Sequence, residues 1–293
     1  MSKRTVVTTG DANAQQPELP PELDAAYRKL QAVLRAHAPM AVAYSGGVDS
    51  GLLAYAARRT LRDDMLCVLA VSPALGESEE REAVAFLERH GIPFERVFTK
   101  ELEDERYRQN HPDRCYYCKS ELFALMREAP VLSRFPFVAH GANLDDSSDH
   151  RPGAQAAAER EVLAPLVEAG YTKRLIRDTA HALGLELWDK PAAPCLASRI
   201  PYFTEVTREK LRQVEKAEAA LKREGFRECR VRHHGHTARI EVPLEEQPRL
   251  RSAGVWGRIE AEVKAAGFER LEIEPDGFRS GRLNEEWKRP RRA

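Results

Sequence analysis

The stretch Met40–Ser50, Met-Ala-Val-Ala-Tyr-Ser-Gly-Gly-Val-Asp-Ser, constrains the fold more than any other part of the chain. Its apolar run, Met40 to Tyr44, reads as a buried strand of a parallel sheet. The run breaks at Ser45-Gly46-Gly47. The residues from Gly51 to Arg59 then have helical composition, with basic side chains late, where the helix dipole favours them. Strand, glycine turn and helix N-terminus in that order aim backbone N–H groups at one point, which is an anion site. Gly46 and Gly47 tolerate positive φ and let the backbone approach a phosphate without an intervening Cβ. Ser45 and Ser50 add hydroxyl donors. No lysine follows the glycines, so this is not the Gly-x-x-x-x-Gly-Lys-Ser/Thr loop. Asp49 would repel a bare phosphate, and its presence implies a bridging Mg²⁺. On composition alone, a strand-to-helix turn capped by Asp and Ser reads the same way.

The pattern continues along the chain. Apolar runs at Met65–Val71, Phe94–Phe98 and Phe137–Gly141 alternate with amphipathic stretches at 22–38, 78–90 and 172–183. This predicts an α/β fold with a doubly wound parallel sheet. Ligands of such sheets sit beyond the carboxyl ends of the strands. Ser45, Ser72 and Gly141-Ala142-Asn143 therefore belong to one edge. Asn143 or Arg151 is a candidate nucleotide contact, and Asp145 and Asp146 are candidate Mg²⁺ ligands. Further on, an amphipathic helix at 207–223, a hairpin around Gly235, a helix at 249–267 and a strand at 271–273 predict a smaller C-terminal α+β domain. Arg230 and Arg232 fall on one side of the hairpin. They read either as a solvated sheet face or as a clamp for a phosphate or carboxylate. The expected boundaries are a flexible tail at 1–21, a phosphate-loop domain at 22–189, and a cysteine loop with the substrate or assembly domain at 190–293.

At 293 residues the chain is long enough for two domains. Lys and Arg balance Asp and Glu, 46 against 46, which argues against a nucleic-acid-wrapping surface. No run approaches a membrane span. Five unevenly spaced cysteines do not form a disulfide framework, so the expectation is a reduced, cytoplasmic protein.

Two cysteine settings stand out. Cys115 and Cys118 form a Cys-x-x-Cys pair between Arg114 and Lys119, expected just before a helix at 121–128. Such a pair reads as a redox couple, half a zinc site, or iron–sulfur ligands. Cys195 lies among Pro191, Pro194 and Pro201, which preclude a regular helix and predict a stiff, exposed loop. Lys190 and Arg199 supply positive charge near it, as a nucleophilic thiolate requires. Cys195 is also a third thiol for the Cys-x-x-Cys pair. Cys67 and Cys229 read as core residues.

Ser-Gly-Gly-Val-Asp-Ser resembles the pyrophosphate loop (PP-loop) of the ATP pyrophosphatase superfamily, whose members cleave ATP between the α- and β-phosphates and adenylate a substrate. Pro-Cys-Leu-Ala-Ser-Arg-Ile-Pro-Tyr at 194–202 narrows the resemblance to the LarE family of ATP-dependent sulfur transferases. The likeness continues at 143–146, 151–153, 231–243 and 276–281. It implies adenylation of the carboxylates of pyridinium-3,5-biscarboxylic acid mononucleotide and their conversion to thiocarboxylates, precursors of the nickel-pincer nucleotide cofactor. ATP and Mg²⁺ would be required. Catalysis would fall to Asp49 and Cys195, nucleotide binding to Ser45, Gly46, Gly47, Asp49, Ser50, Ser72 and Asn143. The resemblance also implies phosphate or metal roles for Glu218, Arg230 and Arg232, with Arg199 beside them. In one version of the family Cys195 surrenders its own sulfur. In the other, Cys115, Cys118 and Cys195 hold a [4Fe–4S] cluster that carries sulfide. A tRNA thiolase of the same superfamily is the alternative, and the family implies a homo-oligomer.

Overall fold

A computed structural model describes residues 17–128, 132–148, 152–279 and 281–288. The chain forms two compact units. The first takes residues up to Ser72 together with Glu77–Lys100 and Cys115–Ala193; the second takes Pro73–Gly76, Glu101–Arg114 and the chain from Pro194 onward.

In the first unit, β1 (Met40–Tyr44), β2 (Met65–Val71), β3 (Phe94–Phe98) and β4 (Phe137–His140) form a parallel sheet in the order β3-β2-β1-β4. β1 pairs Met40 with Met65 on one side and Met40 with Phe137 on the other. All five of its residues are buried, as an apolar run in an interior strand requires. The chain reverses direction of travel across the sheet between β1 and β4, so the loops leaving these two strands flank the switch point.

The helix Val48–Leu61 buries Leu52 and Leu53, each a stabilisation of about 1.5–3 kcal/mol. Gly51, Ala54, Ala56 and Ala57 keep its remaining inner surface small and buried. The helix Pro21–Ala36 starts with Pro at its first turn and packs on Val48–Leu61 through a face carrying Tyr27, Leu30, Val33 and Leu34. Thr172 caps Lys173–Ala182, its side chain accepting from the Leu175 N–H at 3.2 Å.

The second unit contains β5 (Arg230–His234), antiparallel to β6 (Thr237–Glu241), which runs parallel to β7 (Arg270–Ile273). Helices Arg208–Arg223 and Ala253–Ala265 supply Ala217, Leu221, Ile259 and Val263 to a core with Phe226, Cys229, Val231 and Ile240.

Two expectations need correction. The helix following the Cys-x-x-Cys pair begins at Arg114, so Cys115 and Cys118 lie in its first turn and a half. Nothing between Arg114 and Glu121 breaks a helix, and the pair is carried by the element it was expected to precede. The helix expected over 249–267 is divided, with a turn at Gln247–Leu250 and the main helix at Ala253–Ala265. Ser252 takes extended backbone, ψ 135°, as its N-cap. Among the described residues, no helix is long and apolar enough to cross a membrane.

Candidate functional site

The glycine loop is built from backbone. Gly46 has φ +75°, and a Cβ there would stand 3.0 Å from the Ala83 Cβ. The hydroxyls of Ser45 and Ser50 share a hydrogen bond at 3.0 Å, the Ser45 N–H donates to Ser50 Oγ at 3.1 Å, and Ser50 Oγ donates to the Gly47 carbonyl. These contacts close the loop upon itself at the helix N-terminus. Gly141, just past β4, comes so close that a Cβ would lie 2.8 Å from the Ser50 nitrogen. A glycine there is a packing requirement. Ser72 directly follows β2 at the same end of the parallel strands.

Asn143 links the two loops, donating from Nδ2 to Asp49 Oδ2 at 3.0 Å. Its backbone N–H donates to Asp146 Oδ2, and its Oδ1 accepts from the Asp145 N–H. Lys173 Nζ is 3.6 Å from Asp146 Oδ1. Burial pushes the Asp49 carboxyl above the ordinary range and the Asp146 charge adds to it; Asn143, Lys173 and Arg177 oppose them. Two neighbouring carboxyl groups, Asp49 and Asp146, at a ligand edge are suited to a hard divalent cation. Ser45, Gly46, Gly47, Asp49, Ser50 and Asn143 are thus brought together. Arg151 lies outside the described residues.

The cysteine loop, in the second unit, is held by side chains. Cys195 is exposed and initiates the short 3₁₀ turn Leu196–Arg199. Arg199 is buried and bidentate to Glu218, Nε to Oε1 at 2.8 Å and Nη2 to Oε2 at 3.0 Å. Its Nη1 donates to the carbonyls of Pro194 and Cys195 and to Ser198 Oγ. Burial opposes this charge, but Glu218 and, more weakly, Cys195 outweigh it and raise the arginine pKa. Glu218 Oε1 also accepts the Val231 N–H at 3.0 Å.

Arg232 donates to the Ser198 carbonyl at 2.9 Å and is bidentate to the fully buried Glu241. Arg282 joins Glu241 at 3.2 Å. Arg230 is buried, donates to the Cys229 carbonyl at 2.7 Å and lies over the Phe278 ring. Burial, then the Arg199 charge, lowers its pKa. The solvated-face reading of Arg230 and Arg232 is therefore replaced: both guanidiniums point into a packed, charged interior. Lys190, expected to serve the thiolate, instead pairs with Glu79 and Glu82 at 3.0 Å each.

Cys115 is exposed and Cys118 half-buried, one helical turn apart. All five cysteines are reduced. Burial raises the Cys67 thiol pKa and pushes that of Cys229 up to about 12, in keeping with core positions. Among the described residues, no group of three His, Cys, Asp or Glu side chains is gathered as a metal site.

No protein-family model matches the chain. It is 33% identical over 258 residues, 87% of its length and 92% of the relative, to pyridinium-3,5-bisthiocarboxylic acid mononucleotide synthase of Lactiplantibacillus plantarum. The chain belongs to the LarE family. Other LarE-like relatives are the uncharacterised slr1717 of Synechocystis, 40% identical over 83% of this chain and 91% of that protein, and the uncharacterised MJ0830 of Methanocaldococcus jannaschii, 26% identical over 82% and 90%.

Beyond the residues read from sequence, the LarE fold of this chain uses Glu241, Arg282, Arg114 and Asn110 around the cysteine loop. Asn110 and Arg114 reach partners 83 to 94 positions away, and no local pattern marks them.

Proposed function

We propose that the protein inserts sulfur into pyridinium-3,5-biscarboxylic acid mononucleotide at the expense of ATP, yielding the bisthiocarboxylic acid mononucleotide. The observation that carries this reading is the near full-length identity to the Lactiplantibacillus plantarum synthase. Its support in the structure is a strand-to-helix glycine loop whose Asp49 is tied by Asn143 to the loop that carries Asp146.

In the first step, a substrate carboxylate oxygen attacks the α-phosphorus of ATP and pyrophosphate leaves. The turn at Gly46–Gly47 and the helix N-terminus at Val48 offer N–H donors to the departing phosphates. Ser72 and Asn143 stand at the same strand edge for the nucleotide. Asp49 and Asp146 would hold Mg²⁺, which would offset phosphate charge when bound.

In the second step, a sulfur nucleophile attacks the acyl carbon and AMP leaves. Cys195 is exposed on a loop fixed by Arg199, and its thiolate is one such nucleophile. Removal of the Cα proton of Cys195 in the resulting thioester forms the Cα=Cβ bond, and the Cβ–S electrons depart with sulfur on the thiocarboxylate. A thiocarboxylate and dehydroalanine at position 195 result. Arg230 and Arg232 are the candidate partners for the substrate phosphate.

A [4Fe–4S] cluster on Cys115, Cys118 and Cys195 would instead supply sulfide. What supports it is donor chemistry: exposed thiols at Cys115 and Cys195, with Cys118 one turn from Cys115.

The test supplies ATP, Mg²⁺ and pyridinium-3,5-biscarboxylic acid mononucleotide. Pyrophosphate release that requires this substrate, with a product heavier by an oxygen-to-sulfur exchange, is the expected result. Release that ignores the substrate overturns the reading. Iron content after anaerobic reconstitution, compared with Cys115→Ala, Cys118→Ala and Cys195→Ala, separates the two sulfur sources.

A further inference from the structure

Asn110 is fully buried, has φ +55°, and sits in a segment to which the sulfur chemistry assigns nothing. Asparagine is among the few side chains that tolerate this left-handed backbone. Its Nδ2 donates to the carbonyls of Ile200 at 3.2 Å, Pro201 at 2.8 Å and Thr204 at 3.1 Å, sharing two hydrogens among three acceptors. Its own carbonyl accepts the Phe203 N–H at 3.0 Å. Four of the contacts that fix the downstream half of the cysteine loop thus converge on one residue.

Arg114 completes the arrangement. It is buried, its Nη1 donates to Asn110 Oδ1 and, at 2.9 Å, to the carbonyl of Ala197, two residues after Cys195. The upstream side is tied by the Leu196 N–H to the Ala74 carbonyl at 2.9 Å. A buried guanidinium aimed at a carbonyl of the loop is costly unless its partners are fixed. Here they are fixed by Asn110. Arg114 adjoins Cys115 in sequence, yet its guanidinium donates to the loop of Cys195.

We propose that Asn110 and Arg114 are positioning residues for Cys195: they hold the loop at 196–204 so that the thiol meets the acyl-adenylate. The proposal rests on the sulfur-insertion reading above. It bears on the sulfur step, because the clamp holds carbonyls of the cysteine loop. A displacement of about 1 Å in a reacting group costs on the order of 100-fold.

The experiment compares wild type, Asn110→Ala and Arg114→Lys as full-length chains. It follows substrate-dependent pyrophosphate release, thiocarboxylate formation, hydrogen exchange by mass spectrometry, and alkylation of Cys195 by iodoacetamide. The expected result is faster exchange across 196–204, altered Cys195 alkylation, and thiocarboxylate formation at least ~10-fold lower, with pyrophosphate release within about threefold of wild type. Equal losses in both half-reactions, or a loosened loop with unchanged sulfur transfer, would overturn the proposal. If Asn110→Ala does not fold, Arg114→Lys decides between the same outcomes. If wild type itself releases no pyrophosphate with this substrate, the sulfur-insertion reading fails. Exchange and alkylation then still report whether the clamp holds the loop, and unchanged values in both variants would refute it.

Discussion

The glycine loop and the cysteine loop solve opposite problems. An anion site needs backbone N–H groups aimed at one point, so the glycine loop is set within its own short segment: a buried strand, a positive φ at Gly46, a helix start and hydrogen bonds between Ser45 and Ser50. The cysteine loop must present one side chain in one orientation while its proline-rich backbone has few regular hydrogen bonds to offer. It is therefore held by Arg199 within the loop and gripped from outside by Arg232, Arg114 and Asn110, each on a loop carbonyl. Local geometry makes the first loop. Distant polar contacts make the second, and they are conditional on one another.

If that distinction holds, the largest stability loss should come from the cysteine loop's carboxylates. Glu218→Ala strands the buried Arg199 guanidinium and leaves the Val231 N–H without its acceptor. Removing one partner of such a buried pair costs about 3–5 kcal/mol. Denaturant unfolding should register that loss, with the exchange of residues 194–204 accelerated. A loss under about 1 kcal/mol would mean the grip is dispensable and the contrast false.

Asp49→Asn should separate stability from activity in the other loop. The Asp49 pKa is raised in the fold, first by burial and then by Asp146. The folded state therefore binds the proton more tightly than the unfolded chain, and stability falls as pH rises from the ordinary carboxylate value through the raised one. The amide removes that pH-dependent loss and can still accept from Asn143. Expected are a flattened stability profile on the acid side of neutrality and no loss at neutral pH. Pyrophosphate release should fall at least ~100-fold, the scale of losing one preorganised electrostatic group. An unchanged rate would remove Asp49 from the chemistry.

Gly141→Ala tests whether backbone proximity makes the anion site. The added Cβ would meet Ser50 N at 2.8 Å and Ser50 Cα at 2.9 Å, neither of which can rotate away. Overpacking of this kind costs about 1–3 kcal/mol. ATP-dependent pyrophosphate release should suffer more than Cys195 alkylation, which reports the other loop. Equal effects on both would show that the loops do not respond separately.

The same contrast decides what could be read in advance. β1 and β2 were legible to the residue because apolar runs ending in Ser-Gly or Ser-Pro leave few alternatives, and β3 because its apolar residues are bounded by Gly91-Ile92-Pro93. The helix starts at Thr172 and Thr207 were legible too, each within one residue of the observed helix. The start of the helix at Arg114 was not, because Cys-Tyr-Tyr-Cys has no strong helical signature and the motif drew the eye to thiol chemistry. Asn110 and Arg114 were not legible as a clamp: their partners lie 90 and 83 positions away, and neither residue has a local pattern. The buried pairing of Arg232 with Glu241 was half visible, since alternation gave Arg232 a face but not a carboxylate.

The smallest effect should come from a cysteine that belongs to neither loop's machinery. Cys229 lies in the core with Ala217, Leu221 and Val231 and is 1% exposed; burial holds its thiol protonated, with a pKa pushed up to about 12. It neighbours Arg230 in sequence, yet what Arg230 uses is its backbone carbonyl, which a substitution retains. Cys229→Ala deletes one small buried group and should cost about 1 kcal/mol. Thiocarboxylate formation should stay within about twofold of wild type, since the sulfur chemistry needs an ionisable, accessible thiol. A folded Cys229→Ala protein that releases pyrophosphate but forms no thiocarboxylate would assign sulfur traffic to the buried thiol. The cysteine loop would then be a partner in that chemistry, and its external grip would have to be explained by substrate binding alone.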